Sequence, residues 1–181
     1  MHWIVIAPAI LFAAPATALT CTLNFTIEIT QGVGTIRPGT HLPGFAEFTT
    51  DGRSFRQEGG STSHLATGTM TIGDGTGGGI GTGGGEIGGP IWTLITTSRS
   101  NAADLVGVYA HHIEGLSYGG LDYEGPMALT LYGAPGSRPE AVPPTTQAEW
   151  DGLDLRRAFM LHAPGADMLA GDVLGLTVEC S

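Results

Sequence analysis

Lysine is absent from this chain: its seven basic residues are all arginines, set against seventeen acidic residues, for a formal net charge of −10 at neutral pH. A field of that sign repels phosphate backbones and anionic head groups, which proteins hold with clustered Lys and Arg, so nucleic acid is excluded as a partner. The lack of lysine also bears on segment 73–89, which holds eleven glycines in seventeen residues. It cannot end in the Gly-Lys-Ser/Thr of a phosphate loop, and it lacks the spaced aspartates of glycine-rich calcium repeats. Ordering so many glycines costs backbone entropy with few side chains to offset it, so the segment reads as a flexible hairpin tip or linker. Cysteine is scarce as well. Two residues, Cys21 and Cys180, do not supply the clustered ligands of a zinc or iron–sulfur site, and neither a metal nor a cofactor is expected. No catalytic residue is assigned, because a hydrolase triad does not follow merely from Ser, His and Asp occurring somewhere in the chain.

Long apolar runs are missing too, except at the start. Residues 4–16 are apolar apart from two prolines and lead into Ala16-Thr17-Ala18, a small-x-small pattern that signal peptidase accepts. Residues 1–18 are therefore read as a signal peptide, with Leu19 as the mature start. The run is shorter than the roughly 20 apolar residues that span a bilayer, so no integral span is expected after cleavage. The product is expected in the periplasm or outside the cell, where Cys21 and Cys180 form one disulfide near the two ends of the mature chain. Residues 19–181 fit a single domain.

The mature chain is patterned for strands. Leu23, Phe25, Ile27 and Ile29 alternate with Asn24, Thr26, Glu28 and Thr30, the period of a strand with one buried face. Asp51-Gly52 between two short alternating runs predicts a hairpin turn. A strand is expected from Leu65 to Ile72, with Gly68 marking a bulge or a close backbone approach. Further strands are expected over 91–97, 105–113 and 127–132, and a bulge near Gly175 in a terminal strand over 172–179. Residues 146–150 suggest one helical turn capped by Thr145 or Thr146. Eight or nine short strands without a long amphipathic helix indicate an all-β fold. A two-sheet antiparallel β-sandwich is the expected architecture, with a closed antiparallel β-barrel as the alternative.

Chemistry-bearing residues are dispersed. His111 and His112 would point to opposite faces of a strand, which does not favour a shared metal. Asp122 with Glu124, and Asp151 with Asp154, are the carboxylate pairs that a glycosidase would need, although spacing alone fixes neither their separation nor their protonation. Tyr118 and Tyr123 lie beside Asp122 and Glu124 in a glycine-containing turn. A turn that exposes both rings would let tyrosine stack on a sugar while Asp122 and Glu124 accept hydroxyl hydrogen bonds, making Tyr118, Asp122, Tyr123 and Glu124 the expected ligand-binding residues.

Residues 68–72, 125–131, 150–161 and 171–176 together resemble the pattern of exported bacterial β-sandwich proteins of the PEP-CTERM-like surface group. The resemblance covers about a third of the mature chain and implies a sandwich, an acidic loop, a proline-rich loop and a closing Gly-x-Val/Leu strand. It implies no activity, and this sequence lacks the group's apolar sorting tail. The function read from these features is an exported binding or structural module rather than an enzyme, with a glycan or another surface protein as partner. The alternatives are a carbohydrate-active hydrolase and an apolar-ligand-binding barrel.

Overall fold

The computed structural model describes residues 18–56, 61–73, 80–82, 93–99, 103–110, 116–118, 120–123, 125–138, 142–163, 165 and 167–181. Residues 1–17, His111, His112, Glu124 and most of the glycine-rich segment lie outside them. Alternation in the sequence produces β1 (Thr20–Gln31), whose Cys21, Leu23, Phe25, Ile27 and Ile29 are buried while Asn24 and Thr26 face solvent. The same period runs through β2 (His41–Arg56) and β3 (Thr62–Ile72). Then follow β4 (Ile80–Thr82), β5 (Thr93–Arg99), β6 (Asp104–Ala110), β7 (Leu116–Tyr118), β8 (Leu121–Tyr123), β9 (Met127–Gly133), β10 (Arg156–His162) and β11 (Met168–Cys180). One short helix, α1 (Gln147–Asp151), carries a capping box between Thr146 and Glu149, as residues 146–150 led us to expect.

Eight of these strands form one antiparallel sheet in the order β2, β1, β11, β10, β9, β6, β5, β3, and β3 pairs back onto β2, while among the described residues β7 and β8 pair only with each other. The ring of eight is closed, and β4 extends β3 at Thr69–Thr71, beyond the part that β5 pairs. The two-sheet sandwich is thus corrected to a closed antiparallel β-barrel. Both edges of β3 are occupied, one by β2 and the other by β5, so the free edges that would separate two sheets do not exist here.

Asp51-Gly52 is not a hairpin turn. The strand continues through it, and pairing resumes at Ser54 opposite His64 after Thr50 opposite Ala66. Three residues of β2 therefore face one of β3, a bulge whose bend is taken up by Gly52 at φ 79°. Gly68 fulfils its expected role, since a Cβ there would lie 2.0 Å from the Glu47 carbonyl oxygen. Part of the expected glycine-rich loop is strand: Ile80–Thr82 is β4.

The inward faces of the ring make a continuous core. Val106, Val108, Met127, Leu129, Leu131, Phe159, Leu161, Leu169 and Val173 join the buried residues of β1 and β2. The outward residues of β1 are polar, the reverse of a lipid-facing barrel wall. Among the described residues no helix is long and apolar enough to cross a membrane. Cys21 and Cys180 sit opposite each other on β1 and β11 and form the expected disulfide. The residues between β9 and β10 cross this end of the barrel and insert Trp150 and Leu153, both fully buried. Arg157 fixes the crossing by donating from Nε to the Leu153 carbonyl at 3.0 Å and from its guanidinium to Asp151 O at 3.2 Å.

Candidate functional site

The disulfide-tied end carries a cleft of about 490 Å³. Five separated pieces of chain build it: Ala18 and Leu19 before β1, the bulge of β2, His64 of β3, the stretch around Val142, Pro143 and Thr145, and Ser181. The bulge has a local cause. Asp51 accepts from the Arg53 backbone N–H at 2.9 Å and from its Nε at 2.7 Å, and the Arg53 guanidinium holds the Asp51 carboxyl below the usual carboxylate range. That turn of backbone places Thr50, Gly52 and Ser54 along one wall, with Ser54 directly across from His64.

Leu19 extends the pairing of β1 and β2 by one step. Its N–H donates to Thr50 Oγ1 at 2.9 Å, and its carbonyl accepts from the Thr50 N–H at 2.8 Å. Thr20 in turn exchanges two backbone hydrogen bonds with Ser181, at 3.0 and 2.9 Å. The opposite wall is held by a buried cation. Arg138, 4% exposed, donates from Nη2 to the Val142 carbonyl at 2.7 Å and from Nη1 to Glu149 Oε1 at 2.9 Å. Glu149 Oε2 accepts from the backbone N–H groups of Thr145 and Thr146 at 2.7 and 3.0 Å. Val142 is held at the rim with 44% of its surface exposed.

Partial burial of Glu149 pushes its carboxyl up, but hydrogen bonds from Thr145, Arg138 and Thr146 outweigh this and bring it down to about 2, from an ordinary 4.5. A depressed folded value means that the stabilisation is complete above about 4.5 and fades as pH falls toward about 2. Glu149→Gln should therefore flatten the pH dependence of unfolding in that window. Urea midpoints of wild type and variant at several acidic pH values check this. Parallel curves through the window would remove Glu149 as the group responsible.

The arrangement offers hydroxyls from Thr50, Ser54 and Thr145, one imidazole, and apolar surface from Leu19, Val142 and Pro143. Among the described residues no three His, Cys, Asp or Glu side chains gather in a metal-binding group. The carboxylates weighed for glycosidic chemistry stand elsewhere. Asp151 lies 3.7 Å from an Arg157 nitrogen, and Asp154 lines an open groove on the outer wall of β10 and β11.

The residues expected to bind sugar fall in the β7–β8 hairpin. Tyr123 is 3% exposed and belongs to the core, whereas Asp122 is exposed. Neighbours along a strand face opposite ways, so this ring and this carboxylate do not share a surface. The Tyr118 backbone pairs with Leu121, and Glu124 lies outside the described residues. Sequence reasoning missed the cleft, because its wall residues are brought together only by barrel closure. The Asp-Gly signal was the one local mark of it.

No family model matches the chain, and neither a curated protein nor a solved structure does. The class rests on the fold and the cleft alone: a closed eight-stranded antiparallel barrel with its core filled by side chains and a partly apolar cleft at its disulfide-tied mouth.

Proposed function

We propose that the chain is an exported binding barrel, released by cleavage after Ala18, which takes a small and largely apolar ligand in the cleft beside the disulfide. The observation that carries this reading is the cleft itself. Ligand sites are typically concavities of about 300–1,000 Å³, mostly apolar with a few convergent polar groups, and barrel mouths are a usual place for them. At about 490 Å³, with Leu19, Val142 and Pro143 against Thr50, Ser54, His64 and Thr145, this cleft has that size and that chemistry. The exposed Val142 side chain supports the same reading, because its apolar surface gains by being covered. The ligand enters at the mouth. The lumen beneath is occupied by core side chains such as Phe48, Leu129 and Phe159.

Titration of isotopically labelled protein with 1-octanol, followed by amide chemical shifts, tests the reading. Shifts are expected to concentrate at Leu19, Thr50, His64 and Thr145. Val142→Trp, which fills the cleft from its rim, should weaken binding by at least about tenfold while leaving the unfolding midpoint nearly unchanged, since surface substitutions typically alter stability by about 0.5 kcal/mol or less. Octanol binding that maps elsewhere, or that survives Val142→Trp, would overturn the assignment.

A further inference from the structure

We propose that the α-amino group created at Leu19 is the anion-recognition group of the cleft, and that the ligand is a small amphipathic carboxylate. This inference rests on the binding-barrel reading and on cleavage after Ala18, and it adds the chemical class of the ligand.

The Leu19 nitrogen is placed before any ligand arrives. Leu19 is held to Thr50 by two hydrogen bonds, the next residue is held to Ser181 by two more, and the disulfide follows at Cys21. In the uncleaved chain this nitrogen is a peptide N–H whose one hydrogen goes to Thr50 Oγ1 at 2.9 Å. Cleavage turns it into an ammonium with three donors. One can remain on Thr50, and the other two become available to an acceptor in the cleft. Cleavage also removes Ala18, which lines the cleft, and so opens space next to the new charge. An α-amino group has an ordinary pKa near 8 and is largely protonated at neutral pH.

Among the described residues, the charged side chains beside the cleft are paired. Arg53 pairs with Asp51 on the bulge, and Glu149 pairs with Arg138 and is bonded by Thr145 and Thr146. Among the described lining residues His64 is the one ionisable side chain, and no arginine lines the cleft. The new ammonium is therefore the group suited to a carboxylate, with Leu19, Val142 and Pro143 left for an apolar tail. A charge-assisted hydrogen bond of this kind is about twice as strong as a neutral one.

The absence of lysine makes the idea directly testable, because the α-amino group is the only primary amine within residues 19–181. Exported protein whose intact mass corresponds to a Leu19 start is titrated calorimetrically with octanoate and with 1-octanol. Octanoate should bind about tenfold more tightly, a difference within the range of one charged hydrogen bond. Acetylating the amine removes its charge and should erase the preference while leaving octanol affinity within about twofold. Reductive dimethylation keeps the charge and one donor, and the preference should persist. A preference that survives acetylation, or that is absent from unmodified protein, would overturn the inference and leave the cleft assignment standing. So would a mature chain beginning at another residue. If neither probe binds, the binding-barrel reading falls together with it.

Discussion

Phe159→Ala is expected to destabilise the protein by about 3–5 kcal/mol, the usual range for deleting a buried phenylalanine ring. Phe159 is 1% exposed and lies on β10 between Leu129 of β9 and Gly171 of β11. Its ring meets that of Phe25 at 6.5 Å between centroids and a tilt of 37°. Gly44 leaves room for the Phe25 ring, and Gly171, paired with Phe159, lets β11 approach β1 closely. A Cβ on Gly44 would fall 2.1 Å from the Phe25 ring, and one on Gly171 would fall 2.4 Å from the Glu28 carbonyl oxygen. With neighbours fixed by closure on both sides, the wall cannot collapse into the space left by the ring. Chemical denaturation should show the loss as a lower midpoint with an unchanged slope. Phe159→Leu, which keeps most of the volume, should cost much less. Equal and small effects from both variants would mean that the ring does not fill the lumen.

The second large effect is expected from the disulfide. Reduction, or a Cys21→Ala/Cys180→Ala double variant, should cost about 2–4 kcal/mol, because the bond closes a loop spanning 159 positions of sequence. For a domain of this size that corresponds to a fall of about 10 °C in the thermal midpoint. It should also weaken octanol binding, since Leu19 and Ser181 at the cleft are tied to the barrel through the strand ends that the disulfide joins. A stability loss with unchanged binding would separate the cleft from the strand ends and contradict the described wall. An unchanged midpoint would show that hydrogen bonding of β1 to β11 suffices alone.

Local pattern made much of the wall legible. The period of two from Leu23 to Ile29 corresponds to buried positions in β1, and Met127, Leu129 and Leu131 point inward from β9 as their spacing indicates. The bulge expected near Gly175 is present, as a register shift between β1 and β11 between Thr26 and Ile27. Architecture was not legible, because a sandwich and a barrel place the same alternation on each strand. What distinguishes them is the partner of each edge, and the ring depends on pairings such as β1 with β11, which join opposite ends of the sequence. Asp51-Gly52 shows the same limit at smaller scale. Positive φ suits both a two-residue turn and a bulge, and the neighbouring strand decides between them. The expected sugar site also depended on facing: an aromatic residue between glycines suggested exposure, but Tyr123 shares its face with Leu121, which packs on the core. The cleft draws one or two residues from each of several distant segments, and such a site has no signature in spacing.

Closure of the ring can be measured directly by cross-strand Hα–Hα nuclear Overhauser contacts in labelled protein. The account predicts contacts at all eight interfaces, including the β2–β3 interface, where Gly44 faces Ile72, Ala46 faces Met70 and Phe48 faces Gly68 in the close, non-hydrogen-bonded pairs. A sandwich has two separate sheets and must break the ring at two places, so two interfaces without any cross-strand contact would contradict it.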